Sequence, residues 1–155
     1  MPLPFKNGDR ILFQGDSITD CGCRDPLNIN PLGSGYVAMI RGILCERHPE
    51  LQATVLNRGR SGDRTEELLK RWQDDTIFLR PTWLSIKIGV NDVWRKRGDW
   101  NGQSHIALPE YKTNLAKLIE QSRAAGIQNL VLVSPTTIDD DPETELNKLL
   151  GEYDA

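Results

Sequence analysis

Three short polar stretches of this sequence contain residue types that are suited to acyl transfer through a serine. Ser17 lies in "GDSITD", Gly59 in "NRGRSGD" and Asn91 in "GVNDVW". Acyl transfer needs a nucleophile, a base that takes its proton, and N–H donors directed at the oxyanion that develops. A serine hydroxyl fits the first role. A glycine that allows close backbone approach and a carboxamide with two N–H groups fit the third.

The chain around these stretches divides into alternating predicted strands and helices. Short apolar runs predict strands at 10–14, 53–57, 83–88 and 129–133. Helical spacing and end signals predict helices from Tyr36 to about Arg47, from Asp63 with Glu66 as its capping-box partner, from the turn containing Pro109 to Gly126, and over 142–150.

This alternation predicts an α/β fold, in which helices cover both faces of a parallel sheet to give a three-layer sandwich. Ligands of such sheets bind beyond the carboxyl ends of the strands. Ser17, Gly59 and Asn91 each follow one of the first three predicted strands. We therefore expect all three residues at one edge of the sheet.

The three stretches resemble, in order and approximate separation, the first three named blocks of the SGNH hydrolases, also called GDSL esterases and lipases. The resemblance extends from about Arg10 to the chain end. It implies a flavodoxin-like sheet, with four of the family's five strands present, and ester hydrolysis through an acyl-serine. It assigns Ser17 as the catalytic nucleophile and places Ser17, Gly59 and Asn91 in the oxyanion hole. No metal or organic cofactor is implied.

Each of these residues also has an ordinary structural interpretation. Ser17 is a possible helix cap and Gly59 a possible turn glycine. Asp16 is interpreted as an acceptor that shapes the turn before Ser17, and Asp92 as an Asx turn that opens a short helix. Trp94 fits either a wall of the acyl pocket or a packed core position.

The base expected for this chemistry is missing from the sequence. The family's fourth block is Asp-x-x-His, but the chain has only His48 and His105, and neither follows an aspartate by three positions. We expect His48 to be solvated. His105 belongs to a long loop at the predicted edge, where most histidines have no catalytic role. The 1–155 chain is therefore interpreted as a single SGNH domain, incomplete at its C-terminus and inactive as a fragment.

Such an incomplete domain would leave the fourth strand with an unpaired apolar edge and the first long helix with an exposed apolar patch. We expect reduced stability, self-association through that edge, or both. The charged run 95–97 has two interpretations, attraction of an anionic substrate and a solvated surface, of which the solvated surface is favoured.

Composition excludes several other classes of protein. The chain is 38% hydrophobic and 26% charged with a net charge of −3, which gives no basic surface for nucleic acid. No run approaches the ~18 apolar residues of a membrane span, and the N-terminus lacks a signal peptide's apolar segment. Cys21, Cys23 and Cys45 lack metal-type spacing, which favours reduced thiols and a cytoplasmic location, although export is not contradicted. The expected partner is a small-molecule ester.

One alternative of a different class stays open. The same fold would also serve as a catalytically silent module that keeps the strand-end edge as a ligand-binding site. A nucleotide or phosphate binder is not supported, because the chain has no glycine-rich phosphate loop.

Overall fold

Alternating strand and helix signals produce the expected α/β architecture. The computed structural model describes residues 3–98, 102–138, 141 and 143–153. Within these residues, four strands form one parallel sheet in the order β2–β1–β3–β4. The strands are β1 (Arg10–Gly15), β2 (Thr54–Asn57), β3 (Trp83–Lys87) and β4 (Asn129–Val133). The predicted fold class and all four predicted strands are confirmed.

Helices connect and cover the strands. Among the described residues they are α1 (Ser17–Asp20), α2 (Tyr36–Arg47), α3 (Thr65–Lys70), α4 (Trp72–Asp75), α5 (Val90–Trp94), α6 (Leu108–Ala124) and α7 (Glu145–Gly151), with 3-10 turns at Ile77–Leu79 and Arg95–Arg97. The bounds predicted for α2 and α6 are confirmed. The last helix was predicted over 142–150; it begins at Glu145, and Pro142 lies outside the described residues.

The helix predicted to start at Asp63 begins two residues later, at Thr65. Its first turn is closed by Glu67 and not by Glu66, because the Glu67 carboxylate accepts the Arg64 backbone N–H at 3.1 Å. The Asp63 carboxylate instead accepts a hydrogen bond from the buried Arg71 side chain. Because Asp63 pairs with this arginine, it does not serve as the predicted helix start.

Apolar side chains alternate across the strands and build a core on each face of the sheet. Leu12 of β1 packs into the larger core with α3 and α6, whereas its neighbours Ile11 and Phe13 pack into the smaller core with α2. This period-two pattern is expected when both faces of a sheet are buried. It fixes the strand ends, and therefore the residues that follow them, in one orientation.

Packing is incomplete between α2 and β4. A groove of about 370 Å³ separates them and is lined almost wholly by apolar side chains. Met39, Ile43 and Val131 are 67%, 49% and 44% exposed. We call Met39, Ile40, Ile43 and Val131 the α2–β4 face.

The predicted apolar edge of the fourth strand is confirmed, because within the described residues β4 pairs only with β3. Its self-association stays a prediction. In the described part of the chain, none of the helices combines the length and the apolar character that crossing a bilayer requires.

Candidate functional site

Three segments follow the carboxyl ends of β1, β2 and β3: residues 16–20, 58–65 and 89–95. We call them the cleft rim. The first and third of these segments border a cleft of about 240 Å³ whose described lining residues are Ser17, Ile18, Val90, Asn91, Trp94, Thr136, Thr137 and Ile138. The structure therefore brings Ser17 and Asn91 to one cleft although they are far apart in the sequence. The part contributed after β4, Thr136 to Ile138, was missed by sequence reasoning.

Ser17 is held at the mouth of the cleft by the turn that precedes it. Asp16 caps α1 by accepting the Ile18 N–H at 3.0 Å, as predicted for a turn-shaping acceptor. Asp16 is buried, and this burial raises the pKa of its carboxyl to about 6, although the Ile18 hydrogen bond and the Lys87 charge lower it. Ser17 itself is exposed and lines the cleft.

Gly59 packs directly against α1, and its polar groups are engaged within the protein. Its N–H donates to Asn57 Oδ1 at 2.9 Å, and its carbonyl accepts from Arg24 Nε at 2.9 Å. A Cβ atom at position 59 would lie 2.2 Å from the Asp20 nitrogen. Gly59 is not among the described residues that line the cleft, and neither is any other residue of 58–65. Its role as an oxyanion donor stays a prediction, and its steric role is the one that the contacts support.

Asn91 is buried, and both ends of its carboxamide are anchored. Its Nδ2 donates to the Asp63 carbonyl at 3.0 Å, and its Oδ1 accepts from Arg95 at 3.2 Å. The residue before Asp63 is Gly62, which has a φ of +86° and was not singled out from the sequence. Two glycines follow β2 within one short stretch, and only the fold reveals which of them lies beside Asn91.

Asp92 has a different role from the predicted Asx turn. Its carboxylate is fully buried and accepts both the Thr65 hydroxyl, at 2.6 Å, and the Thr65 N–H, at 3.1 Å. Asn114 donates to the same hydroxyl from α6. Burial raises the pKa of Asp92 to about 7, against the lowering effect of the Thr65 hydrogen bonds. Asp92 lies inside α5 and ties it to the start of α3, because the buried Thr65 N–H needs an acceptor.

The charged run after Trp94 is only partly solvated, which corrects the prediction. Lys96 is exposed and pairs with Glu145 at 3.6 Å. Arg95, in contrast, is only 4% exposed. The side chain of Arg97 lies outside the described residues.

Trp94 lies on the cleft and is 45% exposed, so of its two predicted positions the cleft wall is the observed one. The guanidinium carbon of Arg95 lies 5.5 Å from the centroid of its ring, within the range of a cation–π contact. Whether the indole contacts an acyl group stays a prediction.

Both histidines contact other groups. His48 lies 3.4 Å from Glu50 at the end of α2, and His105 lies 3.4 Å from the Tyr153 hydroxyl. No described residue that lines the cleft has a carboxylate or imidazole side chain. The described residues also contain no group of three or more His, Cys, Asp or Glu placed to hold a metal ion.

Comparison with known proteins gives one consistent family. A profile of the GDSL-like Lipase/Acylhydrolase family matches residues 13–155. The chain is 36% identical to an acetylxylan esterase of Geobacillus stearothermophilus over 97% of its own length and 70% of the esterase. It is 27% identical to the human isoamyl acetate-hydrolyzing esterase 1 homolog, covering 93% of this chain and 59% of that protein.

Solved structures show the same similarity. The crystal structure of the Geobacillus stearothermophilus acetylxylan esterase Axe2 matches with a TM-score of 0.88 at 35% identity, over 97% of this chain and 70% of the esterase. LAE5, a hydrolase from the metagenome of Lake Arreo in Spain, matches with a TM-score of 0.85 at 31% identity, over 97% of this chain and 71% of that enzyme.

Proposed function

The chain belongs to the GDSL-like lipase/acylhydrolase family, and on that basis we propose that it acts on short-chain carboxylic esters, with Ser17 as the nucleophile. The observation that carries this proposal is the shared cleft of Ser17 and Asn91. The cleft volume of about 240 Å³ is small for a ligand site and favours a small acyl group. Similarity to an acetylxylan esterase supports an acetyl ester of a carbohydrate as the substrate class.

In the proposed reaction, the Ser17 oxygen attacks the ester carbonyl carbon and loses its proton to a base. The bond to the alcohol then breaks, and the alcohol leaves with a proton, which gives acetyl-Ser17. Water hydrolyses this acyl-enzyme. The negative charge on the carbonyl oxygen is stabilised by the Ser17 N–H and by one Asn91 N–H. Losing one such donor typically lowers the rate 10²–10³-fold.

A second backbone donor is proposed on the segment after β2. Gly59 was the predicted donor, but its N–H already meets Asn57. Gly62 is the better candidate, because the Asp63 carbonyl beside it accepts the Asn91 amide. We therefore assign the second N–H to Gly62, while Gly59 supports α1.

We also propose that this chain catalyses the reaction only slowly. His48 and His105 are engaged elsewhere, and the described cleft lining offers no base. Without a base, both the attack by Ser17 and the hydrolysis of acetyl-Ser17 are slow. We expect the 155-residue chain to turn over little substrate and to accumulate the acetyl-enzyme.

Incubation with 4-nitrophenyl acetate tests this, with and without imidazole as an external base. We expect intact-mass spectrometry to show one added acetyl group, peptide mapping to place it on Ser17, and imidazole to accelerate both acetylation and its loss. Ser17→Ala should remove the adduct. Acetylation confined to lysines, or unchanged in Ser17→Ala, would contradict the assignment.

The silent binding module remains a second candidate, favoured by the same absence of a base from the described cleft lining. It predicts that an acetylated xylo-oligosaccharide shifts the NMR resonances of cleft residues while no acetyl group reaches Ser17, even with imidazole. Acetyl transfer to Ser17 would exclude it.

A further inference from the structure

Arg95 is a buried cation in contact with Asn91, which lines the cleft. Only 4% of the residue is exposed, although it begins a run of three basic residues. Burying a charge is costly unless its hydrogen-bonding groups are satisfied. Its guanidinium donates to Asn91 Oδ1 at 3.2 Å, to the Gly62 carbonyl at 3.3 Å and to Gln103 Oε1 at 3.2 Å. Two of these three acceptors belong to residues of the proposed oxyanion site.

The contact with Asn91 determines which way the carboxamide faces. A guanidinium only donates hydrogen bonds, so the Asn91 atom that meets it must be the oxygen. The nitrogen then lies at the other end, where one N–H reaches the Asp63 carbonyl at 3.0 Å. Because Asn91 also lines the cleft with Ser17, we expect its second N–H to be the one that donates to a bound oxyanion. A flipped carboxamide would present an oxygen to that negative charge.

The contact with Gly62 links the two sides of the site. Asn91 and Arg95 are four positions apart on one helical run, so their side chains lie side by side. Asn91 then binds the Asp63 carbonyl, and Arg95 binds the adjacent Gly62 carbonyl. Two successive peptide groups of the segment after β2 are thereby fixed to α5. The planar guanidinium of arginine has several N–H donors and can bind these neighbouring acceptors together better than the single ammonium group of a lysine can.

We infer that Arg95 is a positioning residue, whose guanidinium fixes the Asn91 carboxamide as an oxyanion donor. This inference rests on the proposed function, since it concerns the same site. Arg95 does not contact the substrate. It acts by keeping this donor in place before the ester arrives.

The structural part of the inference is tested without any catalysis. In Arg95→Met, we expect the Asn91 side-chain N–H protons to exchange with water at least about tenfold faster than in the original chain, measured by NMR. Lys96→Met is the matched control, because it removes the neighbouring exposed charge and should leave this exchange unchanged. Unchanged exchange in Arg95→Met would overturn the inference, whatever the catalytic result.

The functional part uses the rate of Ser17 acetylation by 4-nitrophenyl acetate with imidazole present. We expect Arg95→Met to lower the saturating rate roughly 10–100-fold and to change half-saturation less than about twofold, because the donors act mainly in the transition state. Arg95→Lys should restore only a minor part of the rate. Full recovery of the acetylation rate in Arg95→Lys would overturn the inference, since a positive charge without the planar guanidinium would then be sufficient.

A double-mutant cycle separates positioning from general stability. If Arg95 acts through Asn91, Arg95→Met should lower the rate less than about threefold in an Asn91→Ala background. An equally large effect in both backgrounds would overturn the inference. If the original chain shows no acetylation of Ser17 at all, the proposed function fails, and the exchange measurement alone decides the role of Arg95.

Discussion

The cleft rim and the α2–β4 face lie on the same sheet and are built in opposite ways. In the rim, Asp16, Asn91 and Asp92 are almost fully buried, and each has hydrogen-bonding partners within the protein. In the α2–β4 face, the apolar residues Met39 and Val131 are 67% and 44% exposed. The rim thus contains buried polar side chains, whereas the α2–β4 face contains exposed apolar side chains.

This difference predicts that substitutions in the two regions have different effects. A polar group that is buried with its partners becomes costly only when one partner is removed, so changes in the rim should be severe. Exposed apolar side chains contribute little to the fold, so changes in the face should alter association and leave stability nearly intact. The predictions below test this contrast, beginning with the largest expected effect.

The largest expected effect on stability comes from substituting Arg71, a buried residue that binds groups in and next to the rim. It donates to Asp63 Oδ2 at 2.6 Å, to Gln14 Oε1 at 2.9 Å and to the Gly15 carbonyl at 3.2 Å. Arg71→Met leaves the Asp63 carboxylate and the Gln14 oxygen buried without this donor, so we expect the free energy of unfolding to fall by about 3–5 kcal/mol in urea titrations.

Lys70→Met is the matched control for Arg71→Met. Lys70 is the neighbouring residue, and its side chain is 70% exposed. Its substitution should change the free energy of unfolding by less than about 0.5 kcal/mol. Equal effects of the two substitutions would remove the basis for treating the rim as a buried polar network.

The second prediction applies one chemical change, glycine to alanine, to both regions. In Gly59→Ala the new Cβ would meet the Asp20 nitrogen at 2.2 Å, so α1 must shift. We expect a loss of roughly 2–3 kcal/mol in the free energy of unfolding and slower acetylation of Ser17.

Gly42 is the counterpart in α2, where a Cβ would meet nothing within 4 Å. Gly42→Ala should raise the free energy of unfolding by about 0.5–1 kcal/mol, since alanine favours helix more than glycine does. Thermal unfolding followed by circular dichroism measures both variants. A stabilising Gly59→Ala would show that α1 is not packed as described.

The third prediction concerns pH. Burial raises the pKa of Asp16 to about 6 and that of Asp92 to about 7, and it raises the pKa of Asp63 as well. A carboxyl with a higher pKa in the folded state binds its proton more tightly there. Its favourable contribution is complete below the unfolded pKa of about 4 and is lost as the pH rises through the folded value. We therefore expect the chain to be more stable at pH 5 than at pH 8.

Asp92→Asn isolates one of these carboxyls and keeps an acceptor for Thr65. It should reduce the stability difference between pH 5 and pH 8 by on the order of 1–2 kcal/mol, measured by urea unfolding at both values. Asp74→Asn, at an exposed position, is the control and should leave the difference nearly unchanged. A chain that is most stable at pH 8, with or without Asp92, would contradict the prediction.

Much of the fold was predictable because burial on both faces of the sheet leaves a direct pattern in the sequence. Apolar runs located the strands, and Gly126 marked the end of α6. The convergence of Ser17 and Asn91 on one cleft followed from the rule that parallel strands place their carboxyl ends at one edge.

The missed features depend on contacts between residues distant in sequence. Nothing near Asp92 indicates that Thr65, the first residue of α3, needs its carboxylate. In the sequence Arg95 resembles its exposed neighbour Lys96, and only the structure shows that Arg95 is buried. The part of the cleft after β4 is likewise joined to Ser17 only by the strand order. Sequence therefore located the strand ends, whereas the contacts between the segments required coordinates.

The smallest expected change in stability belongs to Val131, at the centre of β4. Val131→Lys places a charge on the exposed apolar edge, where lysine opposes pairing with another strand. Because Val131 is already 44% exposed, the free energy of unfolding should change by less than about 0.5 kcal/mol. Sedimentation velocity over a range of concentrations should show self-association of the original chain and at least about tenfold weaker association of the variant. Gln128→Lys adds the same charge just before β4 and should leave association unchanged, whereas equal association of all three proteins would show that the free edge of β4 is not where copies meet.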